Sequence, residues 1–282
     1  MKIYPLLTGN LKLDGGAMFG VVPKVIWNKL YPSDENNLCN WAMRCLLIVD
    51  GDRKILIDSG VGDKQSDKFF KHYYLNGDDS LEKSLNKLGY TVDDITDNIL
   101  THLHFDHVGG SVRYNDLGEL VPTFKNAQYW VSKAQWEWAT NPNRREKASF
   151  LTENILPILE KGTLNLIEEE SEILPNIEAR IFNGHTDGQI IPFIKYNDKI
   201  IAFMGDLLPS TAHVPMPYVM SYDTRPLLTL EDKKKFFDEA IEKDIILFLE
   251  HDLYNECCNL QRTDKGAVVK DTFSLKEYFK NN

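Results

Sequence analysis

The clearest pattern along the chain is a series of short aliphatic runs, each ending on a polar or charged residue. Lys54-Ile55-Leu56-Ile57-Asp58, Asn98-Ile99-Leu100-Thr101, Lys199-Ile200-Ile201-Ala202-Phe203-Met204-Gly205-Asp206 and Asp244-Ile245-Ile246-Leu247-Phe248-Leu249-Glu250-His251 all have this form. Runs of this length between turn signals predict buried strands. Trp41 to Val49 reads as another strand, turned back by Asp50-Gly51-Asp52, and Asn197-Asp198 joins Ile190–Tyr196 to Lys199–Met204 as a tight hairpin. Tyr129–Val131 and the stretch from Gly162 to Ile173 add strand and turn.

Helical spacing appears between these runs. Ser80 opens a helix with Leu81, Leu85 and Leu88 on one face and Gly89 at its end, Ser132 caps one carrying Trp136 and Trp138, and Thr229 caps one carrying Phe236, Phe237, Ala240 and Ile241. Asn141 to Ile158 is mixed and charged and reads as a helical insertion at the mouth of a pocket. The segment up to Pro32 is rich in Gly, Pro and aromatics and predicts short strands and loops. Strands and helices alternating over 282 residues predict an α/β protein, read as one domain over 1–282.

Composition narrows the function. A net charge of -10 argues against nucleic acid or an anionic membrane surface as partner, and Lys233-Lys234-Lys235 reads as a solvated helix face. Cys39, Cys45, Cys257 and Cys258 lack zinc-ribbon spacing and read as free thiols in a reducing cytoplasm. The apolar run at the start is too short for a signal peptide, and no stretch is long enough to span a bilayer, so the expected location is cytoplasmic.

Candidate chemistry concentrates in Thr101-His102-Leu103-His104-Phe105-Asp106-His107-Val108-Gly109-Gly110. With seven histidines in the chain, a chance His-x-His-x-Asp-His has a probability of about 4 in 10,000. In extended chain His102 and His104 point the same way, while Asp106 and His107 turn onto the facing side, which makes two adjacent half-sites. Imidazole nitrogens with a carboxylate oxygen suit zinc, with iron, manganese or cobalt as alternatives by ligand softness. One segment cannot close either site. Further donors sit where later strands end: His185 between glycines in Asn183-Gly184-His185-Thr186-Asp187-Gly188, then Asp206, then His251.

His-x-His-x-Asp-His, Gly-His-Thr-x-Gly, Gly-Asp and a late strand-end His, in that order, resemble the metallo-β-lactamase fold hydrolases with a dinuclear site. Leu13-Asp14-Gly15-Gly16-Ala17-Met18-Phe19-Gly20-Val21-Val22-Pro23-Lys24, followed by Trp27 and Tyr31-Pro32, is more narrowly similar to the YtnP-like quorum-quenching N-acyl homoserine lactone lactonases. The resemblance implies an αββα sandwich, two mixed sheets flanked by helices. It implies that His102, His104 and His185 hold one divalent metal, that Asp106, His107 and His251 hold a second, and that Asp206 bridges them. It makes Asp58 an acid that supports the metal loop by hydrogen bonds. The implied reaction is lactone opening by a metal-bridging hydroxide, which needs no Ser or Cys nucleophile, with Asp106 able to return the proton. Met18, Phe19, Val21 and Val22 would line a groove for the acyl tail.

Two positions depart from the family pattern: Pro209 stands where the better-known lactonases carry a Tyr, and Gln189 where many members carry a His. His213 and Tyr222, in the loop after Asp206, are the candidates to replace the missing hydroxyl, whereas His72 among aromatics reads as structural. The expected partner is a small ester or lactone, and a homodimer is compatible with this reading. Organophosphate or aryl-ester hydrolysis on the same site is the near alternative. An iron-dependent persulfide dioxygenase, with one metal per chain, is the more distant one.

Overall fold

A computed structural model describes residues 1–281. One six-stranded sheet has the strand order Lys2–Asp14, Leu38–Asp50, Arg53–Ile57, Asp97–Ile99, Gln128–Ser132, Leu164–Ile167. A seven-stranded sheet has the order Gly266–Phe273, Cys257–Thr263, Ile246–Phe248, Lys199–Phe203, Gln189–Tyr196, Ile177–Phe182, Ser171–Leu174. Both are mixed. Arg53–Ile57 pairs antiparallel with Leu38–Asp50 and parallel with Asp97–Ile99, and Lys199–Phe203 pairs antiparallel with Gln189–Tyr196 and parallel with Ile246–Phe248.

Among the described residues the contacts gather into two compact units, Met1–Asn10 with Met43–Glu169, and Leu11–Ala42 with 170–281. Each has its own apolar core. In the first, Leu47, Leu56, Leu100, Tyr129 and Val131 on strands pack with Leu81, Leu85, Ile155 and Ile158 on helices. In the second, Ile191, Phe193, Ala202 and Leu247 pack against Phe236, Phe237 and Ala240 of the helix Pro226–Glu242.

Local sequence explains most of these elements. Asp50 pairs with Arg53 across the Gly51-Asp52 turn, where Gly51 takes φ +58°. Tyr196 pairs with Lys199 across Asn197-Asp198, whose φ values of +46° and +60° are those of a primed turn that suits these residues. Ser80 Oγ accepts from Lys83 N and Ser132 Oγ from Gln135 N, so both expected caps are made.

Four expectations change. The N-terminal segment is a long strand, Lys2–Asp14, followed by short helices Gly15–Phe19 and Lys24–Trp27; Asp14 caps the first by accepting from Ala17 N. Residues 141–151 are turns, with a helix only over Thr152–Glu160, because Asn143 folds its carboxamide back onto the backbone of Arg145 and Glu146. Thr229 does not cap the late helix. That helix begins at Pro226, whose fixed φ and missing N–H suit the first position, and buried Thr229 lies a turn inside. Finally, Lys233 is not solvated: it is 1% exposed, its ammonium on the carbonyls of His213, Pro215, Met216 and Tyr218 at 2.7, 3.2, 3.3 and 3.0 Å. Those acceptors replace the water that burial removes. All four cysteines are free and buried.

Candidate functional site

In the first unit the strand Asp97–Ile99 ends just before His102, and a short helix, Phe105–Val108, carries Asp106 and His107. The sharp return depends on glycines. A Cβ on Gly109 would stand 2.2 Å from Val61 O, and one on Gly110 2.2 Å from Ser59 O, so only glycine fits where the motif runs back against 59–61. Backbone bonds from Ser59 N to His107 O and from Gly110 N to Gly60 O, at 2.8 and 2.9 Å, fix that approach.

The four motif donors are buried together. His102 Nε2 lies 2.9 Å from His104 Nδ1, and the His102 ring centroid is 3.9 Å from that of His107. The far nitrogens are anchored. His107 Nδ1 is 3.0 Å from Asp58 Oδ2, and His104 Nε2 is 3.3 Å from Glu146 Oε1. Asp58, in the left-handed region at φ +55°, also accepts from Thr101 N at 2.8 Å and Thr101 Oγ1 at 2.7 Å, the supporting bonds expected of it. Glu146 is held in turn by Trp138 Nε1 and Asn143 Nδ2, each at 2.6 Å. An anchored Nδ1 selects the tautomer that leaves the opposite nitrogen with a free lone pair.

In the second unit three donors come from three separate strand ends. Asp206 follows Lys199–Phe203, His251 follows Ile246–Phe248, and His185 follows Ile177–Phe182. Gly184 is required beside His185, since a Cβ there would lie 2.4 Å from Thr229 Oγ1. The Asp206 carboxylate is divided between two imidazoles: Oδ2 is 3.1 Å from His185 Nε2 and Oδ1 is 3.1 Å from His251 Nε2. His185 Nδ1 is 2.9 Å from Asp223 Oδ1, and His251 Nδ1 donates to Ala42 O at 2.8 Å. Burial disfavours the His185 imidazolium, but Asp206 and Asp223 outweigh it and raise the pKa to about 10. Gln189 Oε1 accepts from Asp206 N at 3.1 Å and holds the backbone of the shared acid.

Both clusters fit a divalent cation by chemistry: imidazole and carboxylate donors, buried, with the remote nitrogens hydrogen-bonded as metal-ligand histidines require. The thiols do not compete as nucleophiles. Burial pushes Cys39 up to about 12 and raises Cys258 as well.

The remaining predicted residues fall in different places. His213 is buried, with Nε2 donating to Met18 O at 2.9 Å and Nδ1 2.8 Å from Ser210 Oγ, and its ring is stacked on Phe19 at 4.7 Å. Burial and then Lys233 lower its pKa to about 3, so it is a neutral ring with both nitrogens engaged. Met18 and Phe19 are buried, Phe19 against Trp27 at 5.0 Å, so the groove expected from this loop is an aromatic core; only Val21, 89% exposed, faces solvent fully. Tyr222 is 40% exposed, and Pro209 is buried.

The sequence reading missed three features. Glu146 lay in a stretch read as insertion, and Asp223 in a loop read for hydroxyls. The third is a half-buried aromatic group beside the motif: Tyr73 and Phe69, on the helix Asp67–Tyr73, meet Phe105 at 4.6 and 5.2 Å. A spacing of four from Phe69 to Tyr73 puts both rings on one helix face, and that was the available signal.

With this geometry in place, comparison with known proteins decides the family. The metallo-beta-lactamase superfamily model matches residues 44–238. The chain belongs to that superfamily. It has the family's mixed α/β fold with sheets flanked by helices, and it is a metallo-hydrolase. A probable metal-dependent hydrolase from Staphylococcus aureus is 30% identical at a TM-score of 0.87, with 96% of each chain covered. AidC, a dizinc quorum-quenching lactonase solved with N-hexanoyl-L-homoserine, reaches a TM-score of 0.78 at 20% identity, over 96% of this chain and 95% of that one. The N-acyl homoserine lactonase AiiA of Bacillus thuringiensis subsp. kurstaki is 24% identical over 268 residues, 90% of this chain and 94% of the relative. Among the described residues no helix is long and apolar enough to cross a membrane.

Proposed function

We propose that this metallo-hydrolase opens lactone rings, with N-acyl homoserine lactones as the substrate class, and that the donors of both units serve one dinuclear centre in a single hydrolase domain. His102, His104 and His185 would hold one divalent ion, Asp106, His107 and His251 the other, and Asp206 both; zinc suits this set best. The observation that carries the dinuclear reading is Asp206, whose two oxygens face two different imidazoles 3.1 Å away. The family match supports the joint set, since its model spans six of the seven donors.

Two such ions would acidify a water toward neutral pH and polarise the scissile carbonyl. The chain's own residues do the rest. Asp58 and Asp223 hold His107 and His185 in the ligating tautomer, and Gln189 fixes the backbone of Asp206. Asp106, at the start of its short helix, is the carboxylate able to return a proton to the leaving alkoxide. Phe69, Tyr73 and Phe105 offer the apolar surface for an acyl tail, in place of Met18 and Phe19. His213 positions the loop after Asp206, as a neutral ring whose nitrogens are used.

Pro209 favours one rival. Without a hydroxyl at that position, an aryl ester or phosphotriester loses less than a lactone whose carbonyl would use it. Metal-loaded protein assayed on homoserine lactones, aryl esters, phosphotriesters and glutathione persulfide separates the readings. The proposal expects the lactones to give the highest kcat/KM and the persulfide no oxidation. Turnover of phosphotriesters or aryl esters with intact lactones would assign the chain to the rival.

A further inference from the structure

A cavity of about 770 Å³ lies wholly within the second unit, and none of the seven metal-donor candidates lines it. Its walls come from the loop after Asp206, from the helix Pro226–Glu242 and from the hairpin of Cys257–Thr263 with Gly266–Phe273. Val214, Met216, Phe237, Ala267, Val268 and Val269 make the surface largely apolar. The charged lining residues are Lys234, Arg262 and Lys265 with a single acid, Asp238. Asp238 is shared, with Lys234 Nζ at 2.8 Å from one oxygen and Arg262 Nη2 at 2.5 Å from the other. Three cations and one anion leave the lining with an excess of two positive charges, on a chain whose net charge is -10.

The cavity is built in advance. Pro215 and Pro217 restrict the loop, and the buried Lys233 ammonium holds its carbonyls at His213, Pro215, Met216 and Tyr218. Backbone so pinned does not collapse onto Phe237 to fill the space. On the opposite wall Gly266 and Ala267 bring little bulk, and a Cβ at Gly266 would meet nothing within 4 Å. The volume lies within the roughly 300–1,000 Å³ of small-molecule sites, and an apolar wall gives water few partners.

We propose that this cavity binds a single-chain amphiphile with an anionic head, a medium- or long-chain fatty carboxylate. Its tail lies along Met216, Phe237 and Val268, and its carboxylate meets Arg262 and Lys265 at the rim. Charge decides the class: a neutral or cationic head leaves the excess positive charge unanswered, whereas a carboxylate accepts from the guanidinium fork and the ammonium. The inference stands on the second unit alone and is independent of the substrate of the metal centre.

Isothermal titration of the full-length protein with sodium dodecanoate, below its micellar concentration, tests this. One dodecanoate should bind per chain, and decanoate should bind roughly fifteenfold more weakly, at about fourfold per methylene. Dodecyltrimethylammonium should not bind. Lys265→Glu, on an exposed hairpin turn, should weaken dodecanoate roughly tenfold. Val268→Glu should abolish binding, with circular dichroism to verify the fold. Absence of saturable binding, equal binding of the cationic amphiphile, or affinity unchanged in both variants would overturn the proposal. So would a dimer by sedimentation velocity that Val268→Glu dissociates, since a second copy would then cover this face.

Discussion

The two units gather their candidate metal donors in opposite ways. The first places His102, His104, Asp106 and His107 within six residues, on one strand end and one turn of helix, so local backbone geometry nearly suffices to gather them. The second draws His185, Asp206 and His251 from three strand ends spread over sixty-seven positions of chain, and only the sheet brings them to one edge. The local cluster rests on Gly109 and Gly110, which let it turn. The assembled cluster depends on strand order, and its one carboxylate touches both of its histidines. In both, a buried acid orients an imidazole: Asp58 for His107, Asp223 for His185.

The largest effect should come from the shared acid. Asp206→Asn removes the charge facing both His185 and His251, and should lower kcat/KM roughly a thousandfold or more while releasing metal. A loss no greater than that of Asp58→Asn would show that the carboxylate serves one partner only. Next come the two orienting acids. Asp58→Asn keeps an acceptor for Thr101 N and loses the charge opposite His107, and Asp223→Asn does the same for His185; each should cost about 10–100-fold in metal affinity, read by chelator competition. If one variant loses affinity and the other does not, the symmetry between the units is broken at that acid.

A smaller effect separates substrate contact from core. Phe69→Ala or Tyr73→Ala should lower kcat/KM for long-chain lactones about tenfold relative to short ones, whereas Phe19→Leu should act through thermal stability and treat all chain lengths alike. The reverse pattern would return the acyl groove to the N-terminal loop.

The smallest effect concerns pH. His213, ordinarily near 6.5, is held at about 3 by burial, so between these values the unfolded chain binds the extra proton. Stability contributed by the neutral ring is complete above about pH 6.5 and is lost as pH falls toward 3. His213→Gln should therefore flatten the acid limb of a denaturation profile relative to wild type. An identical slope in both would place the His213 ring in contact with water.

Sequence made the first cluster legible in full because its spacing is its geometry. It also pointed to the strand tips, where aliphatic runs end on Asp206 and His251 and glycines flank His185, and all three residues do follow strands. What it missed has a common cause. Glu146 and Asp223 reach their histidines from 42 and 38 residues away, through turns with no periodicity to read. Lys233 sits in a lysine triplet that looks solvated, and only the loop carbonyls wrapped around it reveal that it is buried. Met18 and Phe19 suit a core and a groove equally well by composition; stacking on Trp27 and His213 favours the core.

Metal content measures the central claim most directly, because the dinuclear centre takes up two ions through the shared Asp206 and a mononuclear one takes up a single ion. Elemental analysis of the fully loaded protein, with anomalous scattering to locate each ion, should give two metals per chain, with Asp206 touching both. Reproducible saturation at a single metal, with Asp206 outside its coordination sphere, would contradict it.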